Sequence, residues 1–198
     1  MRHAAYGAAM PTVLHVRFEA GEIGRWSITS IAPVTGEDLP AARALDLHEG
    51  PTPGPAANEG AARTVAWALE GVVSNERYVE RAERTRLMAH QEGLGRTAAT
   101  RAALIPIRKA SAWWELTQDE RRGILEHSSH HIAIGLDYLP AVARRLHHCR
   151  DLGGPFDFLT WFEYAPSAAG AFEELVGRLR ETEEWTYVDR EVDVRLHR

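Results

Sequence analysis

The sequence is short of cysteine, of long hydrophobic runs and of clustered basic charge, and each shortage excludes a class of protein. Cys149 is the single cysteine, so no disulfide can form within the chain. No run approaches the roughly 18 apolar residues of a membrane span, and residues 1–22 lack the unbroken apolar stretch of a secretory signal. We therefore expect a cytoplasmic protein that is not embedded in a membrane.

The charge is close to balanced and gives no sign of a nucleic-acid partner. The 23 lysines and arginines are outnumbered by 28 acidic residues, for a formal net charge of −5. Proteins that bind nucleic acid present clustered basic side chains to the phosphates, and no such cluster is found here. With 198 residues, 44% of them hydrophobic, the chain can bury a core in one domain, or in two small ones that share a sheet.

Hydrophobic periodicity in the first half predicts three strands and one helix. Period-two alternation indicates the strands, and the first two are close enough to form a hairpin. A polar, proline-rich stretch indicates a long loop. The predicted elements are strands 12–19, 26–34 and 62–74, a loop over 36–60 with a short helix near 39–45, and a helix within 75–93.

The second half is more regular. Thr117, with Glu120 three positions later, has the form of a capping box at the start of a long helix, and Pro140 ends that helix. Pro106 lies in a strand-like run and implies an edge strand or a bulge. The predicted elements are strands 102–108, 141–149, 157–164 and 185–196, with the middle two joined as a hairpin, and helices 115–139 and 166–180.

The order of these elements predicts an α+β fold. Strand–helix–strand–strand–helix–strand in the second half is the split βαβ order of ferredoxin-like folds. The first half looks like a shortened copy of it, which could supply a second sheet. We therefore expect a ferredoxin-like repeat, with halves at 1–98 and 99–198, whose two antiparallel sheets pack together or curl into a barrel of the dimeric α+β type.

Residues suited to a flat, anionic, metal-containing ligand are concentrated in one stretch, and our hypothesis for that ligand is haem. Arg144 alternates with Val142 and Leu146, so it shares an apolar strand face, where an arginine requires a partner or a ligand. Imidazole is a common haem ligand. The concentrated residues are Lys109, Trp113, Trp114, His127, His130, His131 and Arg144.

A zinc site is an alternative use of the same histidines. His127 and His131 are four positions apart, which places both on one face of a helix, as in metal pairs. The sequence offers no obvious third or fourth ligand beside them. The zinc alternative is therefore less favoured than haem.

Several runs, in the right order, resemble the haem domain of the chlorite dismutase family. They are IPIRKASAWW, WWELTQDERRGILEHSSHHIAIGLDYLPAVARRLHHCRDLGGPFDFLTWFEY and EEWTYVDREVDVRL. The resemblance covers about the last hundred residues strongly and the first half more faintly, and it is closest to the small, dimeric branch with a shortened N-terminal domain. It implies haem b as the cofactor, chlorite as the substrate, chloride and dioxygen as the products, and a homodimer.

The resemblance also implies the central site residues. The family has a proximal, haem-ligating histidine at the end of the long helix and a distal arginine thirteen positions later. His131 and Arg144 have this spacing, whereas neither His127 nor His130 has an arginine at that distance. Arg144 is expected to draw in chlorite and to hold the anion formed from it. Glu184 stands where the family has a carboxylate that accepts a hydrogen bond from the proximal histidine.

Further roles follow from the same resemblance. Two neighbouring carboxylates, Glu181 and Glu183, remain alternatives for the partner of the histidine. Lys109 matches a lysine beside a haem propionate, and a tryptophan pair lining the haem pocket is matched by Trp113 and Trp114. Gln91 matches a glutamine that hydrogen-bonds the distal arginine.

Other functions compete with chlorite conversion. A coproheme decarboxylase or a haem peroxidase would share the fold, although the decarboxylase typically lacks an arginine at the distal position, so Arg144 argues against it. A non-catalytic haem-binding protein would keep the ligands without turnover. A cofactor-free barrel with a structural role would leave the histidines incidental, and absence of haem binding would favour it.

Overall fold

The computed structural model describes residues 14–50, 64–73, 79–90 and 92–198. Within them, eight antiparallel strands close into one barrel. The strands are β1 His15–Gly21, β2 Trp26–Thr35, β3 Ala44–Gly50, β4 Val65–Val73, β5 Arg101–Lys109, β6 Val142–His148, β7 Phe158–Tyr164 and β8 Val188–His197. The helices are α1 Arg81–His90, α2 Ser111–Glu115, α3 Gln118–Arg122, α4 His131–Asp137 and α5 Ala169–Arg180, with a π-helical turn at Gly123–Ser128 and 3₁₀ turns at Arg150–Leu152, Pro166–Ala168 and Glu183–Tyr187.

Two groups of four strands with the same internal order form the barrel. The order is β4-β1-β3-β2 in the first half and β8-β5-β7-β6 in the second. β2 pairs with β8 along most of its length, whereas β4 and β6 close the barrel through two residue pairs, Val72 with His148 and Val73 with His147. The α+β class and the antiparallel barrel are confirmed, and the two predicted sheets form one continuous sheet.

Large apolar side chains fill the interior of the barrel. Successive strand residues point to opposite faces, so every second side chain enters the interior. Phe18, Trp26, Leu45, Trp161 and Val194 lie there and are at most 2% exposed. The interior is therefore a packed core, and a large ligand must bind outside it.

A second apolar layer lies between the outer face of the β5–β8 group and the helices. Ile105 and Phe162 of the sheet pack with Phe172 and Leu175 of α5, and the ring of Tyr164 stacks on Phe172 with centroids 4.5 Å apart. Burial of each such side chain stabilises the fold by about 1.5–3 kcal/mol. This layer positions the helices that border the candidate site.

Two predictions for the first half are wrong. The expected helix near 39–45 is absent, and β3 occupies Ala44–Gly50 instead. Leu45 and Leu47 alternate with Asp46 and His48, which is a strand pattern, but the prolines around this short run hid it. β3 then lies between β1 and β2, so these two strands do not form the expected hairpin. The strands at β1, β2 and β4 and the helix at α1 are confirmed within the described residues.

The long helix predicted over 115–139 is interrupted. The capping box is confirmed, since Thr117 donates its backbone N–H to Glu120 Oε2 at 2.7 Å, but it starts the short helix α3. The π-helical turn follows α3, and His130 then adopts a left-handed conformation with φ of 52° before α4 begins. Pro140 follows the end of α4, as expected. No helix in the described part of the chain is long and apolar enough to cross a bilayer.

The strands of the second half are confirmed, with two corrections. β5 lies between β7 and β8, so Pro106 does not mark an edge strand. The register towards β8 shifts between Arg108 and Lys109, which places the bulge two residues after the proline. Trp185 precedes β8 in a 3₁₀ turn rather than starting the strand.

The buried His147 of β6 is expected to make stability depend on pH. Its side chain is 0% exposed, and burial lowers its pKa from 6.5 to about 4. Nδ1 lies 2.9 Å from the carbonyl oxygen of Leu159, and Nε2 accepts from Arg145 Nε at 3.1 Å, so the site fits a neutral ring. The unfolded chain therefore binds this proton at higher pH than the folded chain does. We expect the free energy of unfolding to fall by about 3 kcal/mol as the pH drops from about 6.5 to 4.

Urea unfolding at several pH values tests this prediction, with His147→Asn as the comparison. The asparagine amide keeps a donor near the Nδ1 position but cannot be protonated in this range. The difference between the two proteins should therefore change between pH 6.5 and 4. A constant difference would show that His147 does not cause the effect.

Candidate functional site

A cavity lies on the outer face of β5, β7 and β6, next to the helical layer. The empty space that its walls border, including the solvent at its open mouth, is about 1230 Å³. Most of the wall is apolar. The charged and aromatic side chains that contribute to it include Lys109, Trp113, His131, Arg144, His148, Arg180, Glu184, Trp185 and Glu191.

His131 is the first residue of α4 and lines this cavity beside Glu184. Its Nδ1 lies 2.6 Å from Oε2 of Glu184, whose side chain is 6% exposed. When Nδ1 donates its proton to this carboxylate, Nε2 holds the lone pair with which imidazole binds a metal. Glu184 is thus the carboxylate that meets His131, and the alternatives Glu181 and Glu183 do not occupy this position.

Lys109 completes a buried charged cluster behind His131. Its Nζ donates to Oε1 of Glu184 at 2.8 Å and to the backbone oxygen of Glu184 at 3.1 Å, and it lies 4.7 Å from the ring centroid of Trp113. Burial alone raises the pKa of Glu184, but the charges of His131 and Lys109 and their hydrogen bonds outweigh it and lower that pKa to about 2. Glu184 is therefore an ionised acceptor. The ammonium of Lys109 has this carboxylate as its partner, which differs from the expected haem propionate.

An irregular helical segment sets the position of His131. Between the π-helical turn and α4, His130 has a positive φ, a conformation that is uncommon for residues other than glycine. Glu126 caps α4 by accepting the N–H of Ile132 at 2.8 Å. Ser129 Oγ accepts the N–H of Glu184 at 2.9 Å, which ties this segment to the 3₁₀ turn before β8. π-helical turns and strained residues of this kind cluster at functional sites.

Arg144 lines the same cavity from β6, on the strand face predicted from its alternation with Leu146. Its guanidinium lies against Gly135 of α4, where a Cβ would come within 2.2 Å of Nη1. Glycine therefore makes room for the guanidinium. Burial lowers the pKa of Arg144, but an arginine stays charged at neutral pH. The cavity thus combines a histidine that can bind metal with a fixed positive charge.

The two tryptophans of the predicted pair lie in different surroundings. Trp113 is 1% exposed and lines the cavity, and its buried Nε1 has no hydrogen-bond acceptor among the described residues. Trp114 does not line the cavity; it stacks on Phe158 with centroids 6.0 Å apart, and the guanidinium of Arg150 lies 3.9 Å from its ring. Gln91 lies outside the described residues, so its hydrogen bond to the arginine stays a prediction.

Several residues of the cavity wall were not predicted as site residues, among them His148, Arg180, Trp185 and Glu191. The ring of Trp185 lies parallel to that of His131, with centroids 6.4 Å apart and an interplanar angle of 18°. His148 and Glu191 line the wall from β6 and β8. His148 follows Arg144 at an even spacing on one strand, so alternation could have identified it. Nothing in the sequence distinguishes Glu191 from the exposed acidic residues near it.

The geometry does not favour the zinc alternative. His127 is exposed, whereas His131 is partly buried and bonded to Glu184. The described ranges contain no group of three or more His, Cys, Asp or Glu side chains arranged to hold a metal ion. Within the described residues, His131 therefore has no set of further side-chain ligands with which to hold a bare metal ion.

Comparisons with known proteins agree on one family. A family model described as chlorite dismutase matches residues 58–197. A curated relative from Ideonella dechloratans, named chlorite dismutase, is 35% identical over 86 residues. That alignment covers 43% of this chain and 28% of the relative, so the matched stretch spans less than a third of the relative's length.

Solved structures extend the agreement over nearly the whole chain. The crystal structure of dimeric chlorite dismutases from Nitrobacter winogradskyi has a TM-score of 0.83 and 60% identity, and covers 92% of this chain and 99% of that one. Chlorite dismutase from Candidatus Nitrospira defluvii, in complex with imidazole, shares the fold with a TM-score of 0.65 and 20% identity, over 93% and 91% of the two chains. Because the family model matches well over half of the sequence, the chain belongs to the chlorite dismutase family.

Proposed function

We propose that this protein is a haem b-dependent enzyme that converts chlorite into chloride and dioxygen. The observation that supports this most directly is the pairing of His131 with ionised Glu184 in the wall of a cavity that also holds Arg144. The relatives named chlorite dismutase support the choice of substrate. His131 would bind the haem iron, and Glu184 orients its ring.

The cavity residues fit haem. A large, mainly apolar wall suits a flat macrocycle, and Nε2 of His131 is available as a ligand because Nδ1 is bonded to Glu184. The buried Nε1 of Trp113 is a donor without an acceptor in the described part of the chain, and a haem carboxylate would satisfy it. Lys109 acts on the cofactor through Glu184 in this proposal. Haem, when bound, supplies the redox chemistry that releases the oxygen atoms of chlorite as dioxygen.

The protein residues do three things in this reaction. Glu184 accepts the Nδ1 proton of His131, which fixes the tautomer and makes the imidazole a stronger electron donor. Lys109 keeps Glu184 ionised. Arg144 attracts chlorite into a poorly solvated cavity and holds the anion formed from it, because a guanidinium fixed in such a site stabilises negative charge more than it would in water.

Oxygen evolution tests the proposal. The haem-reconstituted protein should release dioxygen from chlorite at a Clark electrode. We expect Arg144→Ala to lower the rate by about tenfold, a loss of about 1.4 kcal/mol in transition-state stabilisation. Arg145→Ala is the matched control, since Arg145 follows directly on β6 and pairs with Glu49. Tight haem binding with no oxygen would refute chlorite conversion and favour a decarboxylase, a peroxidase or a haem carrier.

Gly135→Ala tests how Arg144 is positioned. A methyl group 2.2 Å from Nη1 must displace the guanidinium, so we expect oxygen evolution to fall while the midpoint of thermal unfolding stays unchanged or rises, because alanine favours a helix. Gly177→Ala in α5 is the control, since a Cβ there meets no described atom within 4 Å. Full activity in Gly135→Ala would show that the close approach does not matter.

We also propose the finer architecture and assembly. The shared order of the two strand groups supports two ferredoxin-like halves at 1–98 and 99–198, of which the first is shortened. The structure from N. winogradskyi, described as dimeric, supports a homodimer. The cytoplasmic location and the hydrogen bond from Gln91 to Arg144 stay predictions.

A further inference from the structure

Besides Glu184, one more side chain orients the ring of His131. The hydrogen bond at Nδ1 restrains rotation about the Cβ–Cγ bond, because Nδ1 lies off that axis, but it tolerates some misalignment and the torsion itself has broad minima. The indole of Trp185 lies nearly parallel to the imidazole, at 18° and 6.4 Å between centroids. A parallel neighbouring ring restricts this rotation, so Trp185 can set the plane of the imidazole.

Trp185 is itself held by a buried carboxylate. Its Nε1 donates to Oε2 of Glu191 at 2.7 Å, and Glu191 is 0% exposed. Arg180, the last residue of α5, donates two N–H groups to the other oxygen, Oε1, at 2.9 and 2.6 Å. Because the arginine uses Oε1, Oε2 is left for the indole. A continuous set of contacts therefore runs from Arg180 through Glu191 and Trp185 to His131.

The need to neutralise the charge of Arg180 does not explain why the carboxylate of Glu191 is buried here. Arg180 Nη2 also donates to Asp193 Oδ2 at 2.8 Å, so this guanidinium keeps a carboxylate partner without Glu191. Burying a further carboxylate is costly unless it has specific partners. Among the described residues, Glu191 is the acceptor for the indole N–H of Trp185. Arg180, Trp185 and Glu191 all line the same cavity as His131.

We propose that Glu191 is a positioning residue for His131 that acts through Trp185. Glu184 fixes the tautomer and the position of Nδ1, and Glu191 fixes the plane of the ring. The inference rests on the proposed function in that it takes His131 as the haem ligand, but the contacts that support it do not involve the cofactor.

Four variants separate this role from general stability. Glu191→Ala releases the indole, and Arg180 keeps Asp193. Trp185→Phe retains an aromatic ring but removes the N–H donor, which provides a second variant if Glu191→Ala folds poorly. Glu191→Gln keeps one oxygen, which can accept from the indole when its NH2 group faces Arg180, whose guanidinium retains Asp193. Asp193→Asn is the matched control, because it removes a carboxylate charge from the same arginine without contacting Trp185.

The first readout uses the full chain without added haem. An adjacent indole shifts the NMR resonances of the imidazole ring protons, so the Cε1–H resonance of His131 reports the stacked arrangement. At one fixed pH we expect this resonance to move in Glu191→Ala and to stay close to its original position in Glu191→Gln and Asp193→Asn. An unchanged resonance in Glu191→Ala would overturn the proposal.

The second readout is the rate at which bound haem passes to a haem-scavenging protein. Groups that orient a metal ligand typically contribute about 10–100-fold in affinity, so we expect release about tenfold faster in Glu191→Ala and Trp185→Phe and near the original rate in the other two. Equal acceleration in Asp193→Asn would indicate a general loss of charge and would overturn the proposal. If the unaltered protein binds no haem, the proposed function fails, and the NMR comparison still decides whether Glu191 positions His131.

Discussion

His131→Ala is expected to abolish haem binding. Its imidazole is the proposed ligand of the haem iron, and its Nδ1 is already bonded to the carboxylate of Glu184. Alanine removes the imidazole, while Glu184 keeps its ion pair with Lys109 through Oε1, so the carboxylate charge stays compensated. Titration of the haem-free protein, followed by the Soret band, should show an affinity lowered by at least about a hundredfold, beyond what the loss of a supporting partner causes.

His127→Ala is the matched control for this experiment. It removes an exposed histidine four positions earlier and should leave haem binding unchanged. Retention of full affinity in His131→Ala would contradict the assignment, and a loss in His127→Ala instead would move the ligand to that residue. If both variants retain full affinity, the haem binds elsewhere.

Glu184→Leu is expected to lower the free energy of unfolding by about 3–5 kcal/mol, because it leaves the buried ammonium of Lys109 without its carboxylate. The side chain of Lys109 is 3% exposed, and its Nζ bonds to the carboxylate and the backbone oxygen of Glu184. Leucine has a similar volume but cannot accept a hydrogen bond. Denaturant unfolding of the haem-free protein measures the loss.

Two further proteins define the origin of that loss. The double variant Lys109→Met with Glu184→Leu replaces the whole pair by apolar groups and should restore most of the stability, since a missing pair costs less than a broken one. Glu183→Leu changes an exposed neighbour and should have little effect. A double variant as unstable as Glu184→Leu would show that packing, not the unpaired charge, causes the loss.

Alternation of apolar and polar residues predicted most strands. It failed where the alternating run was short or where the conformation depends on contacts with distant segments. β6 and β7 follow a clear period of two around a Gly-Gly-Pro turn, so their hairpin was predicted correctly. β3 was missed because its seven residues lie among prolines and polar residues, where a strand has no distinct signal until β1 and β2 pair with it. The break at His130 depends on tertiary contacts, such as the bond from Glu184 to Ser129, that no local pattern reveals.

The candidate site was predictable where it depends on spacing and unpredictable where it depends on contact between distant segments. His131 and Arg144, identified by their thirteen-residue spacing, line one cavity, even though an irregular segment lies directly before His131. Sequence position alone could not identify which of three nearby glutamates, Glu181, Glu183 or Glu184, bonds to His131. Trp113 and Trp114 look equivalent in sequence, but adjacent residues point in different directions, and only Trp113 lines the cavity.

The place of β8 in the barrel has a consequence for the order of folding. This strand lies between β2 and β5, so it is the main link between the two strand groups, and the turn before it supplies the partner of His131. Without residues 188–197, the described strands of the two groups pair through their backbones only at the two residue pairs of β4 with β6. During synthesis, therefore, the barrel cannot close until these residues have left the ribosome, and long-range pairing of this kind is slow. Until then, the two half-built sheets are exposed to premature association, and a cofactor has no finished site to enter.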